Sequence, residues 1–173
     1  GGNVFRYQLI PPVEYVDYRP QNIKSGGDEE IYKKERIVVR QIGKYPEGVL
    51  CPPRILTLNT IYNIYLKSKF YYIEYVLAIV NSSLIRFYWL KRFYDNKKTF
   101  PKIKKQPLES IPIKNIELHV QKSIVNLVHR ILIEKQIDPK ADTMESEREI
   151  NRLIYELYGL TEEEIAIVED IHL

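Results

Sequence analysis

The residues from Arg86 to Lys105 hold the densest chemistry in the chain. Eight cations, Arg86, Lys91, Arg92, Lys97, Lys98, Lys102, Lys104 and Lys105, stand against one carboxylate, Asp95. Six aromatic residues, Phe87, Tyr88, Trp89, Phe93, Tyr94 and Phe100, are threaded between them. Duplex DNA carries one negative charge per roughly 1.7 Å of axis, so a cation row of this density is a natural seat for phosphates. The bland reading, a solvated basic face over an aromatic core, competes for each lysine taken alone. Phosphate contacts position a protein without telling it the sequence. Readout needs Arg, Lys, Asn or Gln at base edges. The candidates are Arg36, Arg40, Gln41 and Lys44 near one β-rich run, and Arg54, Asn59 and Asn63 around another. Each of these also fits an ordinary strand or loop position.

Other chemistry is sparse. The three histidines, His119, His129 and His172, all fall in the C-terminal third. His119 and His129 are ten residues apart, too far for a two-ligand pair one helical turn apart. Cys51 is the single cysteine, so neither an internal disulfide nor a Cys-based zinc site is available. A reducing cytoplasm is the compartment this fits. No GxGxxG, GxxxxGK[ST] or GxSxG run occurs. The acidic pairs Asp28/Glu29 and Glu162/Glu163 read as a solvated run and as partners of a helix dipole. No catalytic residue, metal ligand or cofactor is therefore expected in this chain.

Charge divides along the chain. Residues 1–116 carry 20 Lys+Arg against 10 Asp+Glu, a net of +10, and residues 117–173 carry 6 against 13, a net of −7. A basic body that meets a polyanion and an acidic tail that does not would give this split. The length of 173 residues suits one domain with a helical appendage. At 45% hydrophobic and 28% charged residues the chain is of the folded, globular kind. The most apolar stretch, Tyr75 to Leu90, is broken by Asn81, Ser82, Ser83 and Arg86, and falls short of the roughly 20 residues a membrane span needs. The chain opens Gly1-Gly2 without a methionine, and the natural protein is expected to extend upstream.

The elements that must hold these residues can be read from period and punctuation. Arg36 to Ile42 is rich in β-branched residues, reads as a strand and is closed by Gly43. Gly48 to Cys51 is a short apolar piece stopped by Pro52-Pro53. Arg54 to Leu66 is strongly β-prone, as one bent strand, or two paired as a hairpin around Asn59. Apolar residues then recur at helical spacing from Tyr71 to Phe93. Within that run Asn81-Ser82-Ser83 either ends one helix and caps the next or marks a tight spot inside one helix. Thr99 to Ile113 contains Pro101, Pro107 and Pro112 and is expected to be extended or in turns. Glu117 to Gln136 is an amphipathic helix with Val120, Ile124, Leu127, Val128, Ile131 and Leu132 in its stripe. Asp138-Pro139 breaks it. Asp142 or Thr143 caps a second helix to Tyr158, with Ile150, Leu153, Ile154 and Leu157 inward and Gly159 as its stop. Thr161 and Glu164 form a capping box for a short third helix. The first two of these three helices should pack as an antiparallel hairpin.

Several segments together resemble a known family. Tyr72 to Tyr88 (YIEYVLAIVNSSLIRFY) looks like the Asn-Ser helix of TaqI-like C-terminal specificity domains. Phe100 to Ile113 (FPKIKKQPLESIPI) looks like the proline segment that follows it there. Arg36 to Gly43 is similar to the opening strand, and Gln121 to Leu132 with Glu147 to Glu169 to the tail. The resemblance implies a mixed α/β target-recognition domain. It also implies a parent that moves a methyl group from S-adenosylmethionine to adenine N6, as a methyltransferase or a combined restriction-and-modification enzyme. The family's catalytic Asn/Asp-Pro-Pro-Tyr motif is missing, since Cys51-Pro-Pro-Arg54 lacks both the amide and the aromatic residue. Such domains hold DNA while a separate catalytic domain receives a flipped base.

The expectation is thus an α+β fold, a small sheet with a packed helix in a basic body (1–116) followed by an acidic helical hairpin and terminal helix (117–173). The expected partners are double-stranded DNA and an N-terminal methyltransferase domain of the same polypeptide, which would hold the S-adenosylmethionine. The rival is a protein-interaction or assembly module whose basic stretch is incidental. Single-strand binding by stacking on exposed aromatics is a third reading.

Overall fold

Two short strands, β1 (Val4–Phe5) and β2 (Gln8–Leu9), pair antiparallel around a tight turn. Tyr7 in that turn takes φ 56° and is buried. The computed structural model of the chain describes residues 2–19, 29–94 and 101–170. After the short helix α1 (Glu29–Tyr32) come three strands, β3 (Arg36–Arg40), β4 (Gly48–Cys51) and β5 (Ile61–Ile64). They form an antiparallel sheet in the order β4-β3-β5, with Arg36 opposite Cys51 and Arg40 opposite Ile61. The central strand is covered on both faces, which is why Ile37, Val38 and Val39 form an unbroken apolar run rather than alternating with polar residues. Ile37 and Val39 join the main core, and Val38 meets Val49, Cys51 and Ile61 in a smaller cluster on the other face.

The β-prone run Arg54–Leu66 is corrected here. It is neither one long strand nor a hairpin around Asn59, because only Ile61–Ile64 joins the sheet. After Pro52-Pro53 the chain turns at Arg54, at φ 68°, and the Arg54 amide donates to the Tyr32 carbonyl at 2.7 Å. Local propensity is overridden by that turn, and pairing with β3 resumes only after a second turn from Leu58 to Ile61.

Tyr71–Phe93 folds as two helices, α2 (Ile73–Asn81) and α3 (Ser83–Arg92). Ser82 is extended (ψ 154°), and its hydroxyl accepts from the Ile85 amide, so the polar triplet ends one helix and caps the next. The proline segment is not wholly extended, as α4 (Lys105–Glu109) includes Pro107. Pro107 sits in the first turn, where a helix has no intrahelical use for the N–H that proline lacks. The tail is α5 (Leu118–Ile137), α6 (Met144–Tyr158) and α7 (Glu162–Glu169). Gly159 ends α6 at φ 74°, and the Thr161–Glu164 capping box starts α7. On α5 the buried face is Gln121, Ile124, Val125, Val128 and Ile131, and Val120 is exposed, so the expected stripe is rotated at its start.

The architecture is α+β, as the sequence implied. One core runs from Ile37 and Val39 through Leu77 and Ile79 to Val128, Ile131, Ile150 and Ile154. Each such side chain contributes about 1.5–3 kcal/mol on full burial. Three buried amides then fix the α2–α3 pair. Gln121 of α5 accepts from the Tyr72 amide at 2.9 Å and donates to the carbonyls of Phe70 and Ile116 at 2.8 and 3.0 Å. Asn81 accepts from the Gly48 amide at 2.8 Å and donates to the Gly48 carbonyl at 2.9 Å, locking the end of α2 onto β4. Asn151 of α6 accepts from the Ser83 amide and donates to the Ser83 hydroxyl, both at 2.9 Å. The start of α2, which has no side-chain cap of its own, is thus tied from α5, forty-nine residues on. No helix among the described residues is long and apolar enough to cross a membrane.

Candidate nucleic-acid interface

The chain beyond β3 makes a second, smaller pairing. Ile42 and Lys102 form an antiparallel bridge, flanked by Gly43 N–H to the Pro101 carbonyl at 3.0 Å and Ile103 N–H to the Gln41 carbonyl at 2.8 Å. The Tyr62 hydroxyl donates to the Ile103 carbonyl at 3.2 Å, so β5 pins this ribbon to the sheet. Ile103 points into the core, and Lys102 and Lys104 on either side of it are exposed. Residues opposite each other on paired strands share a face. Ile42, 46% exposed, therefore lies on the outward side with Lys102. Lys44, just past the bridge, is also exposed.

Arg86 reaches the same region from α3. Its guanidinium lies 4.8 Å from the centre of the Tyr45 ring, a cation–π contact with the loop after the ribbon. Lys91 and Arg92 are exposed at the end of α3, against the Phe87 and Phe93 rings. Lys105 is exposed and pairs with Glu109 at 3.6 Å. Lys44, Lys91, Arg92, Lys102 and Lys104 have no carboxylate partner among the described residues. Lys97 and Lys98 lie outside the described residues.

Two base-reading candidates are corrected. Arg36 is 0% exposed. It donates to Asn63 Oδ1 at 2.7 Å, to the Pro52 carbonyl at 3.4 Å and to the Ile55 carbonyl, and stacks over the Tyr32 ring. A guanidinium so engaged holds the Pro52–Ile55 turn against the sheet and cannot reach a base. Asn63 spends its amide on Arg36 and on Thr57. Arg40 is half-buried and paired with Glu47 at 2.8 Å. Gln41 donates to the Asn59 carbonyl at 2.7 Å, which ties the ribbon to the loop before β5. Arg54 and Asn59 are exposed. The candidates therefore include a group gathered at the ribbon (Gln41, Lys44, Arg86, Lys102, Lys104) and a pair, buried Arg36 and half-buried Asn63, that builds the sheet. Ile42, Tyr45 and Tyr62 belong to the first group by contact. A search limited to cations and amides passes over them.

The N-terminal and central parts of this arrangement match a family model over residues 1–113 of 173, that of the TaqI-like C-terminal specificity domain. The chain belongs to that family. The specificity-domain match takes in the whole sheet, the α2–α3 pair, the ribbon and α4, and ends before α5. No curated protein matches the chain. Within the specificity domain the Asn-Ser pair has a structural role, because Asn81 grips β4 and Ser82 caps α3.

Proposed function

We propose that this specificity domain recognises double-stranded DNA sequence on behalf of a restriction-modification adenine-N6 methyltransferase. In this reading residues 1–116 dock on the duplex, and residues 117–173 support the α2–α3 pair from behind. The catalytic part would lie elsewhere in the same cytoplasmic polypeptide, bind S-adenosylmethionine and receive the flipped adenine, with or without an endonuclease beside it. This chain has no glycine-rich loop for that cofactor. The observation that carries the reading is the convergence of Lys102, Lys44 and Arg86 on the Gln41–Tyr45 turn. Those residues are far apart in sequence, and the Ile42–Lys102 bridge and the Arg86–Tyr45 contact bring them to one short stretch of chain. Lys91, Arg92, Lys104 and Lys105 extend the phosphate contacts, and Gln41, Lys44, Arg54 and Asn59 remain the polar candidates for base edges.

The test is a mobility-shift titration with duplex DNA over a salt series. The fourfold variant carries Lys91→Glu, Arg92→Glu, Lys102→Glu and Lys104→Glu. Each lost phosphate contact removes about 0.9 from the slope of log affinity against log salt. Weaker binding with a flatter slope is expected. Unchanged binding refutes the proposal. A salt-resistant complex with a protein partner, formed through Ile133 and Ile137 exposed on α5, would support the assembly reading instead.

A further inference from the structure

Ile42 is an anomaly in the apolar run that begins in β3. Its neighbours Ile37, Val38 and Val39 are wholly buried, yet it presents 46% of its surface to solvent one residue before the Gly43 bend. The backbone places it there by design of the pairing. Gln41 and Gly43 bond to Ile103 and Pro101 on either side, leaving the Ile42–Lys102 pair as the narrow, non-hydrogen-bonded kind with its side chains close together. An apolar group beside ammonium groups that have no carboxylate partner among the described residues is poorly placed for another protein's apolar face, because docking there would strip water from the charges. It is well placed for a surface that offers phosphates at its edges and an apolar group between them. The major groove of DNA is such a surface. It admits a two-stranded β-ribbon, and its floor carries the thymine 5-methyl group.

We infer that the Gln41–Lys44/Pro101–Lys104 ribbon enters the major groove, and that Ile42 contacts a thymine methyl there and sets the preference at that base pair. Lys102 and Lys104 flank it on phosphates. The inference rests on the DNA-recognition reading above and goes further by naming an apolar specificity residue. Ile42 contributes no polar readout, so the preference it sets is for the methyl group and not for a donor–acceptor pattern.

The experiment selects preferred duplexes from a random pool with the 173-residue chain, its Ile42→Ala and Ile42→Leu variants, and Lys102→Ala. Preferred sites are then remade with deoxyuridine in place of each thymine in turn, which removes only the methyl. Wild type is expected to lose about fourfold in affinity at one thymine, the worth of one buried methyl group. Ile42→Ala should be indifferent to that exchange, and Ile42→Leu should still sense it. Lys102→Ala should keep the base preference and lose about 0.9 of salt slope. If duplex is selected but Ile42→Ala prefers the same bases and remains sensitive to deoxyuridine, the role given to Ile42 is wrong and the DNA reading stands. If no protein retains duplex at any salt concentration, both fall.

Discussion

Replacing Gln121 by alanine tests how the helices are held. The side chain is 0% exposed and serves three backbone groups, the Tyr72 N–H and the carbonyls of Phe70 and Ile116. Leaving a buried backbone group unpaired costs about 1–3 kcal/mol. Water reaching some of these groups lowers the total, so a loss of about 3 kcal/mol is expected for the three together. For a chain of this size that corresponds to a fall in Tm of about 6–12 °C. Urea unfolding read by circular dichroism would measure it directly, and Gln136→Ala on the exposed side of the same helix serves as the control. Gln121→Glu adds a sharper distinction. It keeps an acceptor for the Tyr72 amide but sets a carboxylate against two carbonyl oxygens, so it should be worse than alanine at neutral pH and improve on acidification. Hydrogen exchange at Tyr72 should accelerate in the alanine variant. A Gln121→Ala protein within about 0.5 kcal/mol of wild type would place it among ordinary surface substitutions and refute the capping argument.

Two further perturbations follow from the same packing. In Gly48→Ala the new Cβ would lie 2.9 Å from Ile37 Cγ2 and 3.3 Å from both Leu77 and Val39, inside the grip of Asn81. Overpacking of this kind costs about 1–3 kcal/mol, and a melt that matches wild type would contradict the geometry. Glu35→Gln should raise Tm only slightly at pH 7, because Glu35 is exposed and water screens most of the effect. Partial desolvation, and secondarily the nearby Glu74, push the Glu35 carboxyl above its ordinary 4.5, against a smaller opposing pull from His129. A raised folded value means that the protonated form is favoured. The associated stability is complete below pH 4.5 and is lost as pH climbs through the raised value. The advantage of glutamine should therefore vanish in acid, and a gain that is the same at pH 4 and pH 7 would rule out this origin.

Much of the helical half was legible because its signals are local. Gly159 at a left-handed stop and the Thr161–Glu164 box each state their geometry within a few residues, while Asn81-Ser82-Ser83 narrowed the choice to two arrangements, of which the structure takes the break with a cap. The strand region was less so. Ile55, Leu56, Thr57 and Leu58 have the side chains of a strand, but the left-handed turn at Arg54 and the bond to Tyr32 keep them off the sheet. Arg36 looked like a free cation because its partners Asn63 and the Pro52 and Ile55 carbonyls lie 16 to 27 residues away. Ile42 failed in the opposite direction. Its type and its place in RIVVRQI suggest burial, and only the bridge to Lys102, sixty residues on, turns it outward. At the start of α5, Gln121 displaced Val120 from the inner face because three backbone groups needed an amide there.

The three amides also bear on how such a chain can change. Gln121, Asn81 and Asn151 bind main-chain groups, or a hydroxyl beside one, at Tyr72, Gly48 and Ser83, and none of these bonds involves a side chain between Gln41 and Glu47. Those three bonds are therefore indifferent to what that connection spells, although Gln41, Tyr45 and Glu47 hold it to the frame through contacts of their own. A lineage could rewrite the exposed Ile42 and Lys44 without renegotiating the frame that carries them.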